Sequence, residues 1–192
     1  MIQSMRMLGE DLREKARLYY GSGGAAAVIK VLFSDGTFSM VMYRLMQGSR
    51  ALHLVPLEMV FNKLNSLIGN AVIGRGAEFG PGFVISHSSG VVINGRVRGG
   101  SNIHLHHEVT LGDDLKGRSP TLGSDIVIGA GAKIFGPVRI GDRARVGANA
   151  VVVKDVDPDT TVVGIPARPV RRRSPNGQAL AVAPPVADSE AS

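Results

Sequence analysis

The stretch IGAGAKIFGPVRIGDRARVGANAVVV, residues 128–153, carries an aliphatic residue at every sixth position. Two such series run through the middle of the chain: Ile73, Phe79, Ile85, Val91, Val97, Ile103 and Val109, then Leu122, Ile128, Ile134, Ile140, Val146 and Val152. A period of six fits neither an α-helix nor simple alternation along one strand. It predicts a mainly β fold, a parallel β-helix whose aliphatic side chains stack from coil to coil while glycines permit the turns.

The two series fall out of step across GDDLKGRSPT, residues 112–121. This polar segment predicts a loop that projects from the coils, and functional residues are often found on such loops. Residues 1–70 have apolar residues at helical spacing and are interrupted by GSGG (21–24), which predicts an N-terminal helical region. We expect the β-helix domain over residues 71–170 and a basic, then disordered tail over 171–192.

The composition narrows the possible functions. The chain has 192 residues and no cysteine, which excludes disulfides, thiolate zinc sites and a cysteine nucleophile. The net charge of +6 could attract an anionic partner, but no nucleic-acid motif accompanies it, and we expect no nucleic-acid binding. No apolar run is long enough to span a membrane, so we expect a cytoplasmic protein. The alternative is a basic helix that makes a peripheral contact with a membrane surface.

Three further motifs accompany the repeat: HSSGVVIN (87–94), EVTLG (108–112) and VVGIPARPV (162–170). Together they resemble hexapeptide-repeat acyltransferases, in particular serine O-acetyltransferases and their relatives in bacterial polysaccharide clusters. The resemblance covers about residues 70–173, whereas the helical region agrees chiefly at MYRLMQ (42–47). It implies a left-handed parallel β-helix, acetyl-CoA as co-substrate with no metal, and a homotrimer or a dimer of trimers.

The resemblance places His87, in ISHSSG (85–90), at the position of the family's general base. The chemistry requires such a group, because a hydroxyl is a poor nucleophile at neutral pH and an imidazole can remove its proton during attack. We therefore predict that His87 is catalytic. The alternative is a histidine that only hydrogen-bonds within its turn.

The chain departs from the family where the acceptor binds. Ser86 replaces the aspartate before the histidine, Ser119 replaces a second histidine beside Arg118, and Val72 aligns with a further family aspartate. We predict an acceptor-binding set of Ser86, His107, Arg118 and Ser119. The missing carboxylates disfavour the ammonium group of L-serine. We therefore expect a sugar hydroxyl of an exopolysaccharide or another glycan as acceptor, with L-serine as the runner-up.

The resemblance also implies where the cofactor binds. The family holds the pantetheine arm between neighbouring coils with backbone groups, and basic residues bind the phosphates. The predicted cofactor-binding residues are Gly112, Gly131, Ala132, Ala148, Ala150, Lys154, Arg168 and Arg171. The alternative for the two arginines is a solvated run of charge before the tail.

The cluster His104, His106 and His107 allows a hypothesis from another class, a metal-dependent enzyme like the gamma-class carbonic anhydrases. The spacing of the three histidines differs from that family, and alternation along a strand directs neighbouring side chains differently. A third hypothesis is a scaffold that keeps the coils but has lost the chemistry.

Overall fold

The computed structural model describes residues 2–173 and 179–180, with side chains through residue 170. Four helices precede the first strand: α1 (Ile2–Tyr20), α2 (Ala25–Leu32), α3 (Thr37–Ala51) and α4 (Val55–Leu67). The break predicted at GSGG is confirmed, because α1 ends and α2 begins on either side of it. Pro56 lies in the first turn of α4, where its missing N–H costs no helical hydrogen bond.

Sixteen short strands occupy the rest of the described chain. They are β1 (Ala71–Ile73), β2 (Glu78–Phe79), β3 (Val84–Ile85), β4 (Val91–Ile93), β5 (Arg98–Gly99), β6 (Ile103–Leu105), β7 (Thr110–Gly112), β8 (Thr121–Leu122), β9 (Ile126–Ile128), β10 (Lys133–Phe135), β11 (Arg139–Ile140), β12 (Arg145–Val146), β13 (Val151–Val152), β14 (Thr160–Val163), β15 (Arg168–Arg173) and β16 (Ala179–Leu180).

The strands form three sheets that wrap around one core. The sheet orders are β1-β4-β7-β10-β13, β11-β8-β5-β2 and β16-β15-β14-β12-β9-β6-β3. All pairs are parallel except those of β15 with β14 and β16. Every third strand therefore pairs with the next coil, as in a β-helix, and all thirteen residues of the two aliphatic series are buried. The predicted β-helix with an N-terminal helical segment is confirmed.

Two turns are longer than the regular coil allows. A regular coil has 18 residues, as the pairing of Val92 with Thr110 shows. Between Ile85 and Val92 the chain contains two residues more than between their partners, Leu105 and Thr110, so turn 86–90 bulges outward. The second long turn lies between β7 and β8 and confirms the loop predicted from the sequence.

A polar seam joins α1 to β3, the edge strand of the seven-stranded sheet. The Asp11 carboxylate accepts from the backbone N–H of Phe83 (2.9 Å), and the Lys15 ammonium donates to the carbonyl of Ile85 (2.9 Å). The Tyr19 hydroxyl donates to the next carbonyl, that of Ser86 (3.0 Å). These side chains recur every four residues on one face of α1, and they satisfy edge groups that would otherwise be open to pairing with another strand.

A buried ion pair ties the seam to α3. Arg44 Nε lies 2.7 Å from Asp11 Oδ2, and both side chains have no exposed surface. Arg44 also donates to the carbonyls of Phe79 and Gly80, so that one guanidinium links two helices and the first coil. Burial raises the pKa of Asp11, and the hydrogen bond from Arg44 opposes that shift.

None of the helices in the described part of the chain is by itself long and apolar enough to cross a membrane. Helices α2 and α3 reach that length and composition only when they are taken together across a bend of 94°. Of the predicted tail, 171–173 and 179–180 form antiparallel strands. The rest of the predicted tail lies outside the described residues.

Candidate active site

His87 lies on the bulged turn 86–90, between β3 and β4. Its side chain is 52% exposed, so a substrate can reach the imidazole from solvent. Neighbouring backbone supports the turn: the N–H of Gly90 donates to Asn70, and the carbonyl of Ser89 accepts from Glu108. The two additional residues lie in the turn that carries His87, between Ile85 and Val92.

A carboxylate from the helical region contacts this imidazole. Asp35 Oδ2 lies 3.1 Å from His87 Nδ1, and the Asp35 side chain is 80% exposed. Asp35 belongs to the short loop between α2 and α3, 52 residues before His87 in the chain. The sequence prediction missed this residue. A loop aspartate next to glycine is a common turn element, and nothing local connects it to the coils.

The loop that carries Asp35 is pressed against the strand that leads to His87. Gly36 has φ +75°, and a Cβ built on it would lie 2.3 Å from the carbonyl oxygen of Ile85. The buried Lys15 ammonium donates to the backbone carbonyl of Asp35, to Thr37 Oγ1 (3.1 Å) and to the carbonyl of Ile85. Burial lowers the pKa of Lys15 to about 8, and the Asp35 carboxylate opposes that shift.

Ser86, predicted to bind the acceptor, is only 7% exposed. Its backbone N–H donates to Leu105, and its carbonyl accepts from the Tyr19 hydroxyl. These contacts place Ser86 beneath turn 86–90 rather than on the side of the turn that faces solvent. Its predicted contact with the acceptor therefore has little support in the geometry.

Two further histidines lie close to His87. The ring of His107 is 6.0 Å from that of His87, at an interplanar angle of 72°. Burial lowers the pKa of His106, and the neighbouring His107 and His87 lower it further. His104 lies apart from this group, beside Glu14 of α1, and burial also lowers its pKa. The predicted acceptor-binding His107 is therefore brought to His87.

Arg118 and Ser119 are not brought to His87 within one chain. They lie in loop 113–120, which is held against the far end of β4: Ser119 donates to Asn94 Oδ1 (2.9 Å), and Arg96 donates to Gly117. Arg118 is paired with Asp114 at 2.7 Å, and its backbone hydrogen bond lowers the pKa of Asp114. The strand β4 separates this loop from the turn that carries His87.

Several predicted cofactor residues share the corner on which His87 lies. Gly131 occupies the equivalent turn two coils on, and its N–H donates to the carbonyl of His107 (2.9 Å). Ala148 is exposed in the following coil. Ala132 and Ala150 have no exposed surface, backbone included, so the structure leaves neither residue open to a ligand. Gly112 lies outside this corner, at the end of β7, beneath the ring of Phe135.

The predicted basic residues lie at the C-terminal end of the coils. Lys154 and Arg168 are exposed and line a cavity of about 330 Å³ together with residues of the last coil. The backbone of Arg171 continues β15, but its side chain is outside the described part of the structure. The last coil therefore offers two cations where the resemblance expects phosphate groups.

The metalloenzyme hypothesis has no support in the geometry. Among residues 2–173 and 179–180, no group of three histidine, aspartate or glutamate side chains is arranged to hold a metal ion. His104 lies on the side of α1, whereas His106 and His107 approach His87. The site therefore contains a half-exposed imidazole, a carboxylate on its Nδ1 and an open Nε2, which is the arrangement of a general base.

Sequence comparison relates the chain to serine acetyltransferases. The enzyme of Helicobacter pylori (strain J99) is 36% identical over 145 residues, which are 74% of this chain and 85% of that protein. The enzyme of Mycobacterium tuberculosis is 44% identical over 107 residues, which are 54% of this chain but only 47% of that protein. The chain thus spans about half the length of one relative and most of the other. No protein-family model matches the chain.

Solved structures give the same result. The serine acetyltransferase of Neisseria gonorrhoeae superimposes with a TM-score of 0.81 at 31% identity, covering 92% of this chain and 70% of that one. The same enzyme in complex with serine superimposes with a TM-score of 0.78 at 32% identity, covering 88% of this chain and 70% of that one. The Brucella abortus serine acetyltransferase in complex with coenzyme A superimposes with a TM-score of 0.76 at 27% identity, covering 86% of this chain and 67% of that one. The superposition includes both helices and coils, which confirms the predicted left-handed parallel β-helix.

Proposed function

The chain belongs to the serine acetyltransferase family of hexapeptide-repeat transferases, and on this basis we propose that it transfers the acetyl group of acetyl-CoA to the hydroxyl of L-serine. The predictions of an O-acetyltransferase and of acetyl-CoA as co-substrate are confirmed at the level of the family. The expected sugar acceptor has no support among these relatives, and the runner-up, L-serine, takes its place.

The observation that carries the proposal is the contact between His87 and Asp35. The chain lacks carboxylates that the resemblance places near the acceptor, and their absence disfavours L-serine. Asp35 supplies a carboxylate that is 80% exposed and lies 3.1 Å from the His87 imidazole. It comes from the helical region instead of the coils. A negative charge therefore remains beside the base, so the loss of the family carboxylates does not by itself exclude L-serine.

The reaction follows from the orientation of His87. The Nδ1–H donates to Asp35, which leaves the lone pair of Nε2 to accept the proton of the serine hydroxyl. As that proton leaves, the serine oxygen attacks the carbonyl carbon of the thioester and a new C–O bond forms. The C–S bond then breaks, and the departing sulfur takes the proton from the imidazolium. The products are O-acetylserine and free coenzyme A, with no covalent enzyme intermediate.

We place the acetyl-CoA arm along the corner shared by His87, His107, Gly131 and Ala148, with Lys154 and Arg168 toward its phosphates. Support comes from the stacking of this corner through successive coils, ending near the basic cavity of the last coil. Ala148 is exposed and permits close approach of a thin chain, whereas Gly131 is buried beneath the side chain of Asn149. This order puts the thioester end at the His87 coil.

We propose a homotrimer in which loop 113–120 of one subunit completes the acceptor pocket of its neighbour. The support is geometric: Arg118 and Ser119 lie at the opposite end of β4 from His87, so they cannot reach it within one chain. His107 would contact the acceptor from the same chain as His87.

The proposal can be tested by measuring thiol release from acetyl-CoA with L-serine as the sole acceptor. We expect release by the wild type and a decrease of about 10²–10⁴-fold in His87→Asn. The matched control is His53→Asn, a histidine in the loop between α3 and α4, which should retain full activity.

The acceptor is tested in parallel with free sugars and oligosaccharides. Release that depends on a sugar but not on serine, with acetyl-CoA still bound, would overturn the choice of L-serine. Equal turnover by His87→Asn and wild type would overturn the assignment of the base.

A further inference from the structure

We propose that the helical region supplies a catalytic element of its own: Asp35 is a positioning residue for His87, and Lys15 fixes both in one rigid unit. This inference rests on the proposed role of His87 as general base. The family position for an aspartate, as the sequence resemblance aligns it, holds Val72 here. The carboxylate therefore acts from the loop between α2 and α3 rather than from the coils.

The contact between Asp35 and His87 supports a positioning role. A carboxylate on Nδ1 fixes the tautomer and the ring orientation of an imidazole, and leaves Nε2 as the acceptor of the substrate proton. Asp35 Oδ2 is within hydrogen-bond distance of Nδ1, at 3.1 Å. The contact is open to solvent on both sides, so water would compete for each group if nothing else held them together.

Lys15 provides that additional restraint. Its ammonium has three acceptors: the carbonyl of Asp35, the hydroxyl of Thr37 and the carbonyl of Ile85. The first belongs to the loop, the second to Thr37 at the start of α3, and the third to the strand that ends two residues before His87. All the donors of the ammonium are therefore used to join the loop to the strand. The Lys15 side chain has no exposed surface, so water does not compete for these bonds.

Gly36 allows the loop to approach this closely. The space for a Cβ is already occupied by the carbonyl oxygen of Ile85 (2.3 Å) and by the carbonyl carbon of Ser86 (3.2 Å). Backbone thus packs directly on backbone between the loop and the strand. Two independent features, a buried ammonium and a missing side chain, therefore bring Asp35 to one place beside the imidazole.

Asp35 could instead bind the ammonium group of serine, and kinetics separate the two roles. A residue that orients the base acts on the chemical step and lowers kcat, while a residue that only binds serine raises the KM for serine. We expect Asp35→Asn to lower kcat by about 10²-fold, the cost of misplacing a catalytic group, with little change in KM. Asp35→Glu should restore part of the rate. The control Glu10→Gln, whose carboxylate pairs with Arg6 on the outer side of α1, should behave as wild type.

Added formate gives a readout that a merely structural role would not change. Because Asp35 is largely exposed, a small carboxylate can enter the space left by Asp35→Ala and contact Nδ1. We expect formate to raise kcat of Asp35→Ala by about tenfold or more and to leave Asp35→Asn and wild type unaffected, since the Asn amide still fills the space. No response to formate, together with unchanged kcat in Asp35→Asn, would overturn the proposal.

Nuclear magnetic resonance of the His87 ring nitrogens tests the same idea without turnover. The wild type should show one tautomer, with the proton on Nδ1, and Asp35→Asn and Lys15→Met should show a mixture. Lys15→Met should also lower kcat while Asp35 is intact. If Lys15→Met does not fold, the Asp35 variants still decide the question.

The choice of L-serine as acceptor and the positioning role of Asp35 can be refuted independently. If wild type does not acetylate serine but the ring tautomer depends on Asp35, the acceptor is wrong and the positioning role stands. If wild type acetylates serine and Asp35→Asn keeps both kcat and the tautomer, the positioning role is wrong and the proposed function stands.

Discussion

Gly36→Ala tests the close packing between the helical region and the site. The new Cβ would lie 2.3 Å from the carbonyl oxygen of Ile85, whereas ordinary contact begins at 3.4 Å. The loop must therefore retreat by about 1 Å, because backbone cannot yield as a flexible side chain does. Such a shift takes the 3.1 Å contact of Asp35 with His87 beyond hydrogen-bond range. An alanine at φ +75° adds strain of its own, about 1–2 kcal/mol.

Two consequences should be measurable. The free energy of unfolding should fall by the left-handed strain plus about 1–3 kcal/mol for the overpacked contact. Turnover should fall by about 10²-fold, as expected for a displacement of this size at a catalytic group. Thermal unfolding followed by circular dichroism measures the first, and thiol release from acetyl-CoA with L-serine measures the second.

Gly21→Ala is the matched control. Gly21 also has positive φ, +67°, but a Cβ there would meet nothing within 4 Å. It should therefore lose stability from the backbone strain alone and keep wild-type turnover. If Gly36→Ala lost no more stability than Gly21→Ala and turned over at the wild-type rate, the reasoning from close packing would be refuted.

Three further outcomes are expected. Arg44→Met should lower the free energy of unfolding by about 3–5 kcal/mol in urea titration, because it leaves Asp11 buried without its counter-charge, and Arg44→Met/Asp11→Leu should recover part of that loss. Because burial lowers the pKa of Lys15 from 10.5 to about 8, the unfolded chain binds more protons in that pH window, so this group's contribution to stability improves as pH rises through it. Thermal midpoints at about pH 7.5 and 9.5 should show this gain in wild type relative to Lys15→Met; an identical pH response would contradict it. Arg168→Glu should raise the KM for acetyl-CoA by about tenfold at unchanged kcat, since the proposed phosphate contact would be lost; an unchanged KM would remove Arg168 from the proposed cofactor site.

The coils could be predicted from the sequence because their signal is local and repeated. Each aliphatic residue occupies an inward position that the next coil repeats, and the same pattern located the long loop where the period failed. The shorter insertion, in turn 86–90, could not be recognised from the sequence, and the reason is physical. Ile85 pairs with Leu105 rather than Ile103, but both positions face the core and are apolar. A shift of two residues therefore leaves the hydrophobic period unbroken.

The helical half of the site could not be predicted. Asp35 and Lys15 contact residues 52 and 70 positions away, and no periodicity in the sequence indicates such contacts. The segment containing Asp11, Lys15 and Tyr19 has the composition of a solvated amphipathic helix. In the structure these polar groups face inward, because the edge of β3 offers backbone donors and acceptors instead of apolar surface.

The stacked corner also fixes distances along the axis of the β-helix. Parallel neighbours in a sheet are about 4.8 Å apart, so positions along this corner are available only in whole steps of that length. The turn of His87 and the turn of Ala148 are three steps apart, roughly 14 Å along the axis. Side-chain substitutions leave this distance unchanged, whereas inserting or removing one complete coil would alter it by a single step and preserve the core. The separation between His87, the proposed base, and the proposed cofactor-binding end is thus set by the number of coils.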